Sequence, residues 1–128
     1  MKFIYLICPV RGCSEEVRTK LDAYVAKLEE DDCMVHYPHR DVPQDGTEVD
    51  IIGKHVAAML QSDEVHVWWD GNSTGSHFDL GIAWLMKWLC SEHAISPTYI
   101  KIVIANPGEM VLADSGMCYG KWLKEIAE

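Results

Sequence analysis

Phe3-Ile4-Tyr5-Leu6-Ile7-Cys8, ended by Pro9, is a short apolar run with no polar member. A strand with one face in water alternates apolar and polar residues. An unbroken run belongs in the middle of a sheet covered on both sides. After it, Ser14 caps a helix, with Glu15 and Glu16 in the first turn where the helix dipole favours acids. Val17, Leu21, Tyr24, Val25 and Leu28 then recur at helical spacing. Cys33 to Tyr37 reads as a second strand stopped by Pro38, and His39 to Gly46 as a polar loop. Thr47 and Asp50 resemble a capping box ahead of a helix marked by Ile52, Val56, Met59 and Leu60. Glu64 to Trp69 is a third strand, and Asp70 to Gly75 a turn. Ser76 opens a third helix reaching about Cys90. Ile100 to Ala105 is a fourth strand, Met110 to Ala113 a candidate fifth, and Tyr119, Trp122, Leu123 and Ile126 mark a last helix.

Strands alternating with helices predict an α/β fold. The expected form is an open, doubly wound parallel sheet of about four or five strands, flavodoxin- or Rossmann-like, with helices on both faces. The 128 residues suit one domain, 1–128, and 48% hydrophobic with 24% charged residues is a globular composition. The third helix stands out. Phe78, Leu80, Ile82, Ala83, Trp84, Leu85, Met86, Trp88 and Leu89 cover nearly its whole circumference, the pattern of a helix buried on every side. A homodimer or higher homo-oligomer through the 77–90 helix is the expected source of that burial.

The net charge of −9 argues against nucleic acid polymers and anionic membranes as partners, because such surfaces repel an acidic chain. It leaves room for one phosphate held by backbone N–H groups and an Arg. The five cysteines (Cys8, Cys13, Cys33, Cys90 and Cys118) are odd in number and form no CxxC pair, so a reducing cytoplasm is expected rather than a disulfide framework. No stretch approaches a membrane span, and Phe3 to Val10 is too short for a secretory leader.

Ligands of doubly wound folds sit at the carboxyl ends of the strands. Two loops there carry the chemistry. In Cys8-Pro9-Val10-Arg11-Gly12-Cys13-Ser14, Arg11 offers a fork of donors beside Gly12, where backbone can approach an anion closely; an ordinary strand-to-helix turn explains it equally. Asp70-Gly71-Asn72-Ser73-Thr74-Gly75-Ser76 offers hydroxyls, N–H groups and a helix start able to cradle a phosphate. Asp79 follows. It is either the far half of a Ser76-x-x-Asp79 capping box or a nucleophile aimed into the cleft, with Asp70 as a second carboxylate. His36-x-x-His39 beside Asp41 has the composition of a metal site. The strand and loop positions favour structural histidines, no cysteine has metal spacing, and no metal or other cofactor is expected. Adjacent Trp68 and Trp69 point to opposite faces, so at most one lines a cleft.

These segments resemble the nucleoside 2-deoxyribosyltransferase superfamily, and within it the deoxynucleoside 5′-monophosphate N-glycosidases. Ile4 to Gly12 is similar to the family's first strand and loop, Ser62 to Val67 to its entry into the third strand, and Ser73 to Ala83 to its signature loop and helix. The resemblance spans residues 1–105. It implies cleavage of the base–sugar bond of a nucleotide or nucleoside, by hydrolysis or by deoxyribosyl transfer. Asp79 falls on the nucleophilic Glu, Tyr5 on the Tyr beside it, and Arg11-Gly12 and Ser73 on phosphate-binding positions, with Gly75 and Ser76 supplying N–H groups nearby. Two departures stand out. Asp79 is one methylene shorter than Glu, and His55 stands where the family carries an Asp for the sugar or the leaving base. Asp41 and Asp45 are possible substitutes for that acid. Both departures suit an alternative in which the pocket is catalytically silent and senses a nucleotide.

Overall fold

The computed structural model describes residues 1–43, 45–92 and 100–128. Its elements run β1 (Lys2–Ile7), α1 (Glu15–Glu30), β2 (Cys33–His36), α2 (Pro38–Asp41), α3 (Glu48–Leu60), β3 (Glu64–Val67), α4 (Thr74–Glu92), β4 (Lys101–Ile104) and α5 (Tyr119–Ile126). All strand pairs are parallel and the sheet order is β2-β1-β3-β4. The apolar run of β1 is interior, with Tyr5 in register with His36 on one side and Val65 on the other. This is the doubly wound α/β fold that the order of apolar segments predicted.

Alternation along β1 divides the core. Ile4, Leu6 and Cys8 pack with Leu21 and Val25 of α1, with Val35, Tyr37 and Trp68. Tyr5 and Ile7 join the opposite layer with Met59 of α3, Leu80 and Ala83 of α4, and Leu123 of α5. Trp68 and Trp69 part to opposite layers, as adjacent strand residues must. Each fully buried aliphatic side chain contributes about 1.5–3 kcal/mol, so both layers draw much of their stability from a single strand.

Helix starts follow their caps. Ser14 Oγ accepts from Val17 N at 3.2 Å and Thr47 Oγ1 from Asp50 N at 3.3 Å. The Thr47 hydroxyl also donates to Asp50 Oδ2 at 2.8 Å, so this acid takes the side-chain proton of the capping residue. Four expectations need correction. Residues 110–113 form no strand, so the sheet has four strands among the described residues. The backbone N–H of Glu128 instead donates to Ile102 O at 2.8 Å on β4. The segment expected as loop contains α2, which starts at Pro38, a residue with no N–H to leave unpaired; Asp41 Oδ2 accepts from Tyr37 N at 2.8 Å. Helix α4 begins at Thr74 rather than Ser76. Nor is α4 buried all round: Phe78 is 52% exposed, Leu85 53% and Trp88 39%, whereas Leu80 and Ala83 are buried. Its inner side meets α5 through Trp84 and Trp122, whose ring centroids lie 5.5 Å apart, edge to face. Among the described residues no helix is long and apolar enough to cross a membrane.

One buried and one half-buried histidine couple this fold to pH. Ionised Glu64 can only accept, so His66 Nε2 donates to it at 2.9 Å, and His66 Nδ1 accepts from the Tyr24 hydroxyl at 2.6 Å. Burial lowers the pKa of His66 below its ordinary value, against the opposing pull of Glu64. Burial likewise lowers that of His36. Below pH ~6.5 the unfolded chain binds protons that the folded chain refuses, so the stabilisation is present above that pH and lost as pH falls through the depressed folded values. Urea unfolding between pH 7.5 and about 5 should therefore give a falling unfolding free energy, and His66→Gln should flatten the slope.

Candidate functional site

A cleft of about 590 Å³ opens at the carboxyl ends of the strands. The β1 loop lines it with Cys8, Val10 and Arg11, and α3 with Glu48, Ile51, Ile52 and His55. The β3 loop and the start of α4 add Asn72, Ser73, Thr74, Gly75, Phe78 and Asp79. Two smaller cavities, of about 310 and 220 Å³, lie elsewhere and do not include Asp79.

Asp79 is only 7% exposed, so its carboxylate depends on donors from the protein. The Tyr5 hydroxyl donates to Asp79 Oδ2 at 2.9 Å. His55 Nδ1 lies 3.2 Å from the same oxygen. Among the described residues Oδ1 takes no hydrogen bond. Behind this group the Tyr5 ring stacks on His36, centroids 5.1 Å apart and 12° from parallel, and His55 meets Tyr5 edge to face at 6.1 Å. Burial, then the nearby charge of Asp79, raises the Tyr5 phenol well above its ordinary range, so it stays a proton donor. Burial also raises the Cys8 thiol far above its ordinary value, which rules against a thiolate nucleophile at this wall of the cleft.

The helix start removes the capping reading of Asp79. Ser73 is the capping residue: its Oγ accepts from Ser76 N at 3.2 Å, and its carbonyl accepts from His77 N at 3.1 Å. Ser76 caps nothing. It lies within the first turn, buried, with its Oγ unpartnered among the described residues. The Ser76-x-x-Asp79 capping box is therefore absent, and Asp79 sits in the second turn, beyond the strong reach of the helix dipole. Its carboxylate takes its hydrogen bond from Tyr5, with His55 Nδ1 nearby, and not from the helix terminus.

The other expected site residues fall into two groups. Arg11, Ser73 and Gly75 line the cleft with Asp79 and His55, and Arg11 enters no ion pair among the described residues. Asp70 does not line it. Its Oδ1 accepts from Asn72 N at 2.9 Å and Ser73 N at 3.0 Å, so it shapes the turn and is no second carboxylate for the cleft. Gly12 also lies off the lining and supplies a left-handed turn with φ of 72°. Asp41 is spent on Tyr37 N and on Arg40, whose Nε lies 2.9 Å away, and neither it nor Asp45 lines the cleft.

Two supports escaped the sequence reading. His39 Nε2 donates to Pro9 O at 2.8 Å while Arg18 donates to His39 Nδ1 at 3.1 Å, pinning the β1 loop against α2. The Asn106 side chain bonds both backbone groups of Trp69, each at 2.8 Å, extending the β3–β4 pairing to the edge of the site loop. Only the Asn-Pro-Gly turn marked that position, and its amide role depends on the fold. Among the described residues no group of three His, Cys, Asp or Glu is placed to hold a metal ion. Compared with family models, curated proteins and solved structures, the chain matches none.

Ser73→Ala should destabilise the protein by roughly 0.5–2 kcal/mol, the worth of a helix cap, in chemical denaturation. Ser76→Ala, which removes a buried hydroxyl that makes no bond among the described residues, should be neutral or stabilising in the same measurement.

Proposed function

We propose that the protein is an N-glycosidase that cleaves the base–sugar bond of a (deoxy)nucleoside 5′-monophosphate through Asp79, or carries out the related deoxyribosyl transfer. The observation that carries this reading is the Asp79 carboxylate, bonded through Oδ2 to Tyr5 and open at Oδ1, at the wall of a nucleotide-sized cleft. The likeness of the β1 loop and the α4 start to the deoxynucleoside 5′-monophosphate N-glycosidases supports it independently of that geometry.

The cleft is chemically divided. Arg11, Ser73, Thr74 and Gly75 offer a cation, hydroxyls and N–H groups at the α4 N-terminus, suited to a phosphate. Val10, Ile51, Ile52 and Phe78 offer apolar surface for a base. In the reaction Asp79 Oδ1 attacks C1′ as the C1′–N bond breaks, and the departing base takes a proton from solvent. Water then attacks C1′, the bond to Asp79 breaks, and the sugar 5-phosphate leaves; a second base in place of water gives transfer. Tyr5 holds the carboxylate in line, and remote phosphate binding positions the sugar. The five free cysteines favour a reducing, cytoplasmic setting for this chemistry.

A homodimer through the 77–90 helix belongs to the same proposal. Phe78, Leu85 and Trp88 are large apolar residues exposed on α4, and Phe78 also lines the cleft. A second copy covering them would close the site. Sedimentation at micromolar concentration should give twice the 14.5 kDa chain mass, and Leu85→Glu should return it to a monomer.

Incubation with a panel of nucleoside 5′-monophosphates, read by chromatography of free base, should show release that Asp79→Ala abolishes. The Asp79→Ala protein should keep its nucleotide-induced rise in melting temperature. Arg11→Ala should weaken the monophosphate about 10-fold or more, the worth of a charged hydrogen bond, and leave the nucleoside little changed. Release from none of the panel overturns the enzyme reading. A thermal shift without release would identify a silent nucleotide-binding module.

A further inference from the structure

We propose that Glu48 is the residue that selects the base: its carboxylate accepts from an exocyclic amino group at the far edge of the ring. The cleft then takes nucleotides of cytosine and adenine in preference to those of their carbonyl counterparts, uracil and hypoxanthine. The inference rests on the nucleotide reading of the cleft and names which bases it takes.

The place of Glu48 on α3 carries the argument. Glu48, Ile51, Ile52 and His55 all line the cleft. They fall at i, i+3, i+4 and i+7, which is one face of a helix, so the face that carries Glu48 is turned to the cleft. At one end of this stripe His55 Nδ1 lies 3.2 Å from Asp79 Oδ2, the level at which the sugar would sit. Glu48 is two turns away, about 10 Å along the helix axis. Between the two ends lies uncovered apolar surface: Ile52 is 40% exposed, and Phe78, which lines the same cleft from α4, is 52% exposed. A ring that leaves C1′ beside Asp79 and lies on these side chains brings its far edge to Glu48.

Charge decides what that edge must carry. Glu48 is exposed and makes no hydrogen bond or ion pair among the described residues, and the same holds for Arg11. The cleft thus offers a cation and an anion that do not neutralise each other. A phosphate is drawn to Arg11 and repelled by Glu48, so the base is the part of a nucleotide left to meet the acid. A carboxylate only accepts. An amino group projects N–H donors from the ring toward it. Uracil and hypoxanthine put a carbonyl oxygen in that position, so that acceptor faces acceptor. The first turn of α3 also favours an acid through the helix dipole, a contribution to stability that has no bearing on base choice.

Titration calorimetry with two matched pairs tests this. CMP against UMP, and AMP against IMP, exchange an amino group for a carbonyl at one position of the ring. Where the wild type consumes a ligand, the pair is titrated in Asp79→Ala. The amino member of each pair should bind about 10-fold or more tightly, the worth of a hydrogen bond to a charged group. Glu48→Ala should weaken CMP and AMP and bring each ratio within about 3-fold. Glu48→Gln, whose amide donates as well as accepts, should move the preference toward UMP and IMP. Arg11→Ala should weaken all four and leave the ratios as they were. Equal binding within each pair would overturn the proposal, and so would a preference that survives Glu48→Ala, or binding of none of the four. Discrimination that Glu48→Ala removes, with no base released, upholds this proposal and overturns only the glycosidase reading. Base release without discrimination does the reverse.

Discussion

The hydrogen bond from Tyr5 to Asp79 joins residues 74 positions apart and ties the central strand to the helix that carries the cleft's carboxylate. It exists because β1 is buried on both faces. Strand alternation sends Ile4 and Leu6 to the α1 layer and Tyr5 to the layer of α3 and α4. A phenol in that second layer must find an acceptor or lose a buried hydrogen bond. Asp79, one of the few buried charged groups, must find donors. Each satisfies the other, and the place where they meet lies behind the wall of the 590 Å³ cleft.

The surroundings keep that meeting point fixed. Asp70 folds the β3 loop on its own backbone, Ser73 starts α4, and Asn106 braces Trp69 from β4. His39 and Arg18 hold the carbonyl of Pro9 at the root of the β1 loop. These polar residues around the cleft are thus occupied in shaping backbone. Arg11 and Oδ1 of Asp79, with the side chains of Glu48, Asn72 and Thr74, line the cleft with no hydrogen bond or ion pair among the described residues.

Much of the fold was legible because it rests on periodicity. The unbroken run of β1, the helical spacing after Ser14 and Thr47, and the alternation of segments lead directly to a parallel doubly wound sheet. Local exceptions were not legible. Met110 to Ala113 has the composition of a strand, but Glu128 reaches β4 there through its backbone. Helix α2 hides in a segment whose Pro38 reads as a stop and acts as a start. At the site, Tyr5 and Asp79 were found as types in a pattern. Whether Asp79 capped its helix depended on one turn of register, since Ser73 and Ser76 are equally good caps by composition. That His55 Nδ1 comes within 3.2 Å of Asp79 Oδ2 was out of reach of sequence, because it depends on how α3 sits against α4.

The central place of β1 has a kinetic side. Its partners lie far along the chain: Tyr5 pairs with His36 on one edge and with Val65 on the other, and its hydroxyl waits for Asp79. Parallel pairing of distant segments forms slowly, because chain closure comes before any contact repays it. During synthesis from the N-terminal end, the most apolar strand emerges before every element that will cover it. Until β3 has been made that strand carries an unpaired edge, and until α4 has been made it carries an uncovered face and an unbonded phenol. The residue that organises the cleft in the finished protein is thus among the last to be satisfied during folding, and nascent chains that stop short of α4 are the ones most exposed to aggregation.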